Sequence, residues 1–217
     1  MLSRLFGVWN RRSLPVSWEG FHRIKCFYSQ YGEDALLQAI TQSRDKRGVY
    51  VDVGCFEPIS LSNTYMLYRQ GWHGIAIDPN ADMAPLWKKH RPRDKFIGCA
   101  VGAQAGSMGY HKNHEFPNES HLDSTVATIT VPVRRLDEIL STELPPRTTI
   151  DVMSVDCEGF DLSVLQSNDF HRFRPRVLIV EDSTHGNSEL AEYVQSLDYT
   201  LTGMTVMSLL YVDNKTA

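Results

Sequence analysis

The chain has 217 residues, 42% of them apolar and 22% charged, with a formal net charge of −4. That composition supports one α/β domain with its own core, and the negative balance argues against general nucleic-acid binding. None of the four cysteines sits in a CxxC pair, so the expectation is free, buried thiols in a reducing, cytoplasmic setting and no zinc site or disulfide frame.

Met1 to Gly20 differs from the remainder. Leu2, Leu5, Phe6, Val8 and Trp9 alternate with Arg4, Arg11 and Arg12, and no acid precedes Glu19. The expected reading is a loose terminal helix packed on the domain or a partner. An acid-free amphipathic start also suits an organelle presequence or a peripheral contact with an anionic membrane. No apolar run approaches a membrane span. The division is drawn as a 1–26 extension and a 27–217 domain. Oligomeric state is not legible.

Phe27 to Ile40 predicts a helix, with Ser29 as its N-cap and Glu33 and Asp34 early in it. Gln30, Tyr31 and Glu33 can alternatively form a lid over a pocket. Gly48 to Pro58, GVYVDVGCFEP, organises the chain: Val49 to Val53 is a short β-branched run that stops at Gly54. A buried parallel strand that ends in glycine and hands over to a helix has this pattern. Glycine there allows a sharp turn and a close approach to a ligand. Ile59 to Gln70 predicts a helix closed by Gly71. Gly74 to Ile77 predicts a second strand, and Pro79 opens a helix to about Lys89. Phe96 to Val101 predicts a third strand.

Gly109 to Ser124 is a long polar loop holding His111, His114 and His121 with Glu115, Glu119 and Asp123. Its spacing matches no metal motif, so a solvated or substrate-facing loop is expected. Thr128 to Val133 and Ile150 to Val155 predict strands, as does Val177 to Val180. Helices are expected over Leu136 to Leu140, Phe160 to Gln166 and Ser188 to Leu197. Tyr199 to Met204 and Ser208 to Val212 close the chain as a strand pair. The alternation implies a mostly parallel sheet with an antiparallel edge.

Four acids carry the chemical signal. Asp52, Asp78, Asp156 and Glu181 each fall at or near the end of a different predicted strand, and in an open α/β sheet those ends line one crevice. Asp78 can accept hydrogen bonds from both hydroxyls of a ribose, as NAD and S-adenosylmethionine both require. The first turn lacks GxGxxG, and Glu57 would repel a pyrophosphate. A cofactor with an amino-acid tail fits better, with Ser62 and Asn63 toward its carboxylate and Asp52 toward its ammonium.

SQYGEDALL (Ser29 to Leu37), DVGCFEPISLSNTYMLYRQGWHGIAID (Asp52 to Asp78), AVG (Ala100 to Gly102), VxxLDEIL (Val133 to Leu140) and DVMSVDCEGFDLSVL (Asp151 to Leu165), in this order, resemble the FkbM family of S-adenosylmethionine-dependent methyltransferases. The resemblance spans about Tyr28 to Met204. It departs at Phe56-Glu57, where relatives with the same SNT segment often carry histidine. It implies a Rossmann-like class I methyltransferase sandwich: an α/β fold with a mostly parallel seven-stranded sheet and an antiparallel edge strand. It implies methyl transfer to a hydroxyl of a sugar, glycan or small natural product.

Carried over by position, Gly54 sits against the cofactor, Asp78 binds the ribose and Cys99 to Val101 flank the adenine with Ala100 among them; Tyr31 touches the cofactor in the lid reading of Gln30, Tyr31 and Glu33. Asp156 and Glu158 face the methyl and the acceptor, with Glu181 beside them. Crowded carboxylates raise one another's pKa and become better bases. A divalent ion held by Asp156 and Glu181 is the other way to acidify a hydroxyl. Two readings compete: an NAD-linked sugar enzyme, which lacks the glycine triplet and a Tyr-x-x-x-Lys pair, and a non-catalytic scaffold of the same fold, against which the strand-end acids count. Methylation of nucleobase amino groups is disfavoured because no NPPY-like tetrapeptide follows Val155.

Overall fold

The computed structural model describes residues 26–41, 47–112, 121–122, 125 and 127–215. The amphipathic start and the centre of the 109–124 segment lie outside them. No helix among the described residues is long and apolar enough to cross a membrane.

β1 (Val49–Val53) is the central strand because almost nothing along it tolerates water: Tyr50, Val51 and Val53 are each at most 1% exposed. It pairs in parallel with β2 (His73–Asp78) on one side and β8 (Val152–Val155) on the other. β3 (Lys95–Gly98) extends the sheet beyond β2. β9 (Val177–Glu181) follows β8 in parallel. β11 (Ser208–Asp213) runs antiparallel to β9, and β10 (Tyr199–Met204) forms the edge, antiparallel to β11. The seven-stranded order is β10-β11-β9-β8-β1-β2-β3. The antiparallel edge is therefore present, and the reversed strand itself is β11, one place inside it.

Helices cover both faces, as near-continuous apolar strands demand. On one face, Leu136, Ile139 and Leu140 of α4 (Leu136–Glu143), Val164 and Leu165 of α5 (Asp161–Gln166) and Leu190, Ala191 and Val194 of α6 (Glu189–Ser196) pack on Val51, Val53, Met153 and Val180. On the other, Leu37 of α1 (Glu33–Thr41), Leu67 and Tyr68 of α2 (Tyr65–Arg69) and Trp72 pack on Tyr50, Val152 and Ile179.

Six expectations change. Ser29 lies outside α1, which starts at Glu33; its hydroxyl accepts the Asp34 N–H (3.2 Å) and donates to Asp34 Oδ1 (2.8 Å). The predicted 59–70 helix is helical only over α2, because residues 58–64 are held irregular by side-chain hydrogen bonds. Pro79 opens no helix: a 3₁₀ turn spans Ala81–Met83, and Pro85 lies in the first turn of α3 (Ala84–His90). The predicted 96–101 strand breaks at Cys99. β3 stays in the main sheet, while β4 (Ala100–Val101) pairs with β7 (Ile129–Arg134) in a second sheet of order β4-β7-β5-β6. Part of the expected 109–124 loop is strand in that sheet: β5 (Gly106–His111) and β6 (His121–Leu122). Cys26 is exposed, unlike the buried Cys55 and Cys99, and all four thiols are unbridged.

Arg91, fully buried, ties the irregular segment to the sheet. Its Nε donates to Asp94 Oδ2 (2.6 Å), Nη1 to Ser62 Oγ (3.2 Å) and the Pro58 carbonyl (3.4 Å), and Nη2 to Tyr50 Oη (2.7 Å) and Thr64 Oγ1 (2.8 Å). Thr64 passes the chain on to Asp52 Oδ2 (2.5 Å). Asp94 also accepts from Tyr50 Oη (2.6 Å) and the Gly74 N–H (2.9 Å). All five guanidinium donors are used, and the Trp87 ring centroid lies 4.3 Å away. Removing one partner of a buried pair strands the other charge, at about 3–5 kcal/mol. Arg91→Met is therefore expected to cost that much in urea unfolding followed by tryptophan fluorescence; a loss below about 1 kcal/mol would show that the network is incidental.

Candidate active site

One cleft of about 260 Å³ opens at the carboxyl ends of the parallel strands, where an open α/β sheet binds its ligands. Gly54, Asp78, Cys99, Ala100, Asp156, Glu158 and Glu181, all expected at the site, line it. Cys99 and Ala100 reach it because the chain changes sheets there.

The turn after β1 is built tightly. Gly54 and Cys55 donate to the Ile77 carbonyl (2.9 and 3.2 Å). Gly54 has φ +76, and a Cβ on it would lie 1.7 Å from the Asp156 carbonyl oxygen. Glycine is thus required by the approach of the β8 end as well as by the turn. Phe56 follows in the left-handed region at φ 42, which costs a non-glycine residue about 1–3 kcal/mol. Two bonds hold it: its N–H donates to Asp78 Oδ2 (2.9 Å) and its carbonyl accepts from Trp87 Nε1 (3.0 Å). Asp78 Oδ1 accepts the Asn80 N–H (2.7 Å). Burial raises the Asp78 pKa, and the two N–H donors oppose that rise. Each carboxylate oxygen keeps a second lone pair for a ligand.

Four residues expected to touch cofactor lie elsewhere. Asp52, 4% exposed, accepts from Thr64 behind the cleft; burial lifts its pKa to about 6 against the opposing charge of Arg91. Ser62 accepts from Arg91 and from the Tyr65 N–H (3.1 Å). Asn63 Nδ2 donates to Ser154 Oγ (3.1 Å). These three brace the loop, because short polar side chains beside irregular backbone satisfy backbone and core groups first. Tyr31 is 46% exposed and is not part of the lining; its neighbour Gln30 is.

At the far wall, Asp156 and Glu181 share a hydrogen bond, and Glu181 also accepts the Glu158 N–H. Two carboxyl groups can bond only through a proton. Burial, then the neighbouring charge of Glu181, pushes the Asp156 pKa well up. Burial, then the charge of Asp161, also raises Glu181. Glu158 sits at φ 50, followed by Gly159 at φ 89. Asp161, a residue that strand-end reasoning overlooks, stabilises this bend by accepting the Cys157 N–H (2.9 Å) and the Gly159 N–H (3.1 Å). Its place five residues past Asp156, at the start of a short helix, is the available sequence signal.

Tyr110 and Leu122, from the second sheet, and Met207, before β11, complete the lining. Tyr110 and Leu122 lay in a stretch read as loop, so periodicity could not find them. Burial pushes the Cys99 thiol up to about 11 and Cys157 well up, so neither is a thiolate at neutral pH. No lysine, arginine or histidine is among the described lining residues. Among the described residues no group of three or more metal-ligating side chains stands close enough to hold an ion.

An acid with a higher pKa folded than unfolded stabilises the fold at low pH, and that contribution is lost as pH climbs through the folded value. Asp156, Glu181, Asp161 and Asp78 all shift this way. Glu181→Gln should therefore gain stability relative to the unsubstituted protein between pH 4.5 and 7.5, read from urea midpoints at both. A constant difference would mean that the carboxyl pair is not coupled.

The Methyltransferase FkbM domain family model matches residues 48–201. No curated protein matches significantly. Two solved structures are similar at low identity. One is a methyltransferase from Geobacter sulfurreducens, 15% identical, covering 97% of this chain and 94% of its own, with TM-score 0.46. The other is a TehB-like SAM-dependent methyltransferase from Corynebacterium glutamicum, 14% identical, covering 85% and 88%, with TM-score 0.43. With a match over most of its length and the strand-end cleft in place, the chain belongs to the FkbM methyltransferase domain family.

Proposed function

We propose that the protein is an S-adenosylmethionine-dependent O-methyltransferase that acts on a hydroxyl of a sugar, glycan or small natural product. One observation carries the choice of cofactor: the described cleft lining holds Asp78, Asp156, Glu158 and Glu181 and no basic side chain. Such a wall repels a pyrophosphate and attracts a cation. S-adenosylmethionine, with a sulfonium and an ammonium against one carboxylate, is a net cation; NAD is not. When bound, it supplies an activated methyl group for in-line displacement.

Asp78 has the lone pairs to accept two ribose hydroxyls while its other contacts fix its plane. Phe56 and the Cys99 to Val101 segment offer apolar and backbone surface for the adenine. Transfer to an alcohol requires the oxygen to be aligned and its proton taken as the bond forms. Both carboxyls of the Asp156–Glu181 pair have raised pKa values, and Glu181, which accepts the Glu158 N–H, is assigned as base. Glu158 contributes its N–H, which orients Glu181.

Calorimetric titration of S-adenosylhomocysteine tests the cofactor: binding is expected, and Asp78→Ala should abolish it. No binding to the unsubstituted protein would leave the non-catalytic scaffold as the better reading. Once an acceptor is in hand, kcat should rise with pH as the carboxyl pair ionises, and Glu181→Gln should lower it by roughly 10²–10⁴-fold. A flat pH profile would remove Glu181 as base.

A further inference from the structure

The cleft has an acidic floor and an apolar mouth. Three separate segments each place one residue in the lining and a large apolar side chain at the surface. Gln30 lines the cleft and Tyr31 beside it is 46% exposed; Leu61 lines it and is itself 43% exposed; Met207 lines it and Val206 beside it is 58% exposed. The first and third segments are joined through Glu33, which accepts the Tyr31 N–H (2.9 Å) and the Thr205 hydroxyl (2.6 Å). The segments that carry Tyr31 and Val206 are therefore neighbours.

Leu61 stands there at φ 57, a backbone state that a leucine seldom adopts, between Pro58 and Ser62, both held by Arg91. The fold thus presents a strained leucine to solvent on a rigid support, as binding sites do. Apolar side chains exposed at the edge of a cleft give a ligand apolar surface to cover. A free sugar would need a polar partner for each hydroxyl it buries. Beside the carboxylates of Asp78, Asp156, Glu158 and Glu181, Gln30 and Tyr110 are the uncharged side chains of the described lining that carry an amide or a hydroxyl.

Resting on the methyltransferase reading, we infer that the acceptor is an amphiphile. Its hydroxyl-bearing head enters the acidic floor, and an apolar chain or ring lies on the rim formed by Tyr31, Leu61 and Val206. Each methylene covered by the rim tightens binding by about four-fold.

The test uses two probes with the same head, methyl β-D-glucoside and octyl β-D-glucoside, the latter kept below its micelle concentration. Both are titrated into the full chain, with S-adenosylhomocysteine affinity measured on the same samples. Octyl glucoside should bind at least about tenfold more tightly. Leu61→Asn, which keeps a residue tolerant of positive φ, and Val206→Ser, on an exposed turn, should each erode that preference several-fold. Equal affinities, undetectable octyl glucoside binding, or a preference untouched by both substitutions would overturn the inference. Loss of S-adenosylhomocysteine binding would instead count against the methyltransferase reading, so the two failures are separable.

Discussion

Arg91 is a full positive charge with no access to water, and its surroundings must replace that water. Its five donors meet five acceptors drawn from β1, from the irregular 58–64 segment and from Asp94. An incomplete set would leave a desolvated charge, so the geometry of those segments is determined jointly and not piece by piece. Segment 58–64 is not a helix for this reason: Pro58, Ser62 and Thr64 are committed to the guanidinium. The position of Leu61 at the cleft follows from the same commitment.

The second constraint is electrostatic crowding at the strand ends. Asp78, Asp156, Asp161 and Glu181 all have raised pKa values, with burial as the first cause in each. A site designed only for stability would dilute these charges or pair them with arginine. Here the compensation comes from backbone N–H groups, two on Asp78 and two on Asp161, and from the hydrogen bond between Asp156 and Glu181. These leave the cleft with negative potential, which suits the cationic methyl donor proposed above. Stability is given up at a functional site, as is common.

The close approach of Gly54 to the Asp156 carbonyl joins the two halves of this arrangement. The turn carrying the Asp78-bound Phe56 and the turn carrying the carboxyl pair touch with no room for a side chain between them. A displacement in one is transmitted directly to the other. Glycine at this position therefore reads as a packing requirement between loops, with ligand access as its consequence.

The local apolar runs at Val49–Val53, Val152–Val155 and Val177–Glu181 were legible from sequence because a strand buried on both faces needs little beyond its own composition. The strand-end acids were legible for the same reason: once a strand's direction is known, its last residue has a place. Asp52 shows the limit of that rule, since its side chain alternates away from the cleft and into the Arg91 network. Arg91, in a polar loop between α3 and β3, is singled out by no local pattern; partners 27 to 41 residues distant help to bury it. The break at Cys99 and the parts played by Ser62, Asn63, Tyr110 and Leu122 were likewise decided by tertiary structure. One hydrogen-bond partner or one neighbouring sheet settles each of them, and no local period encodes it.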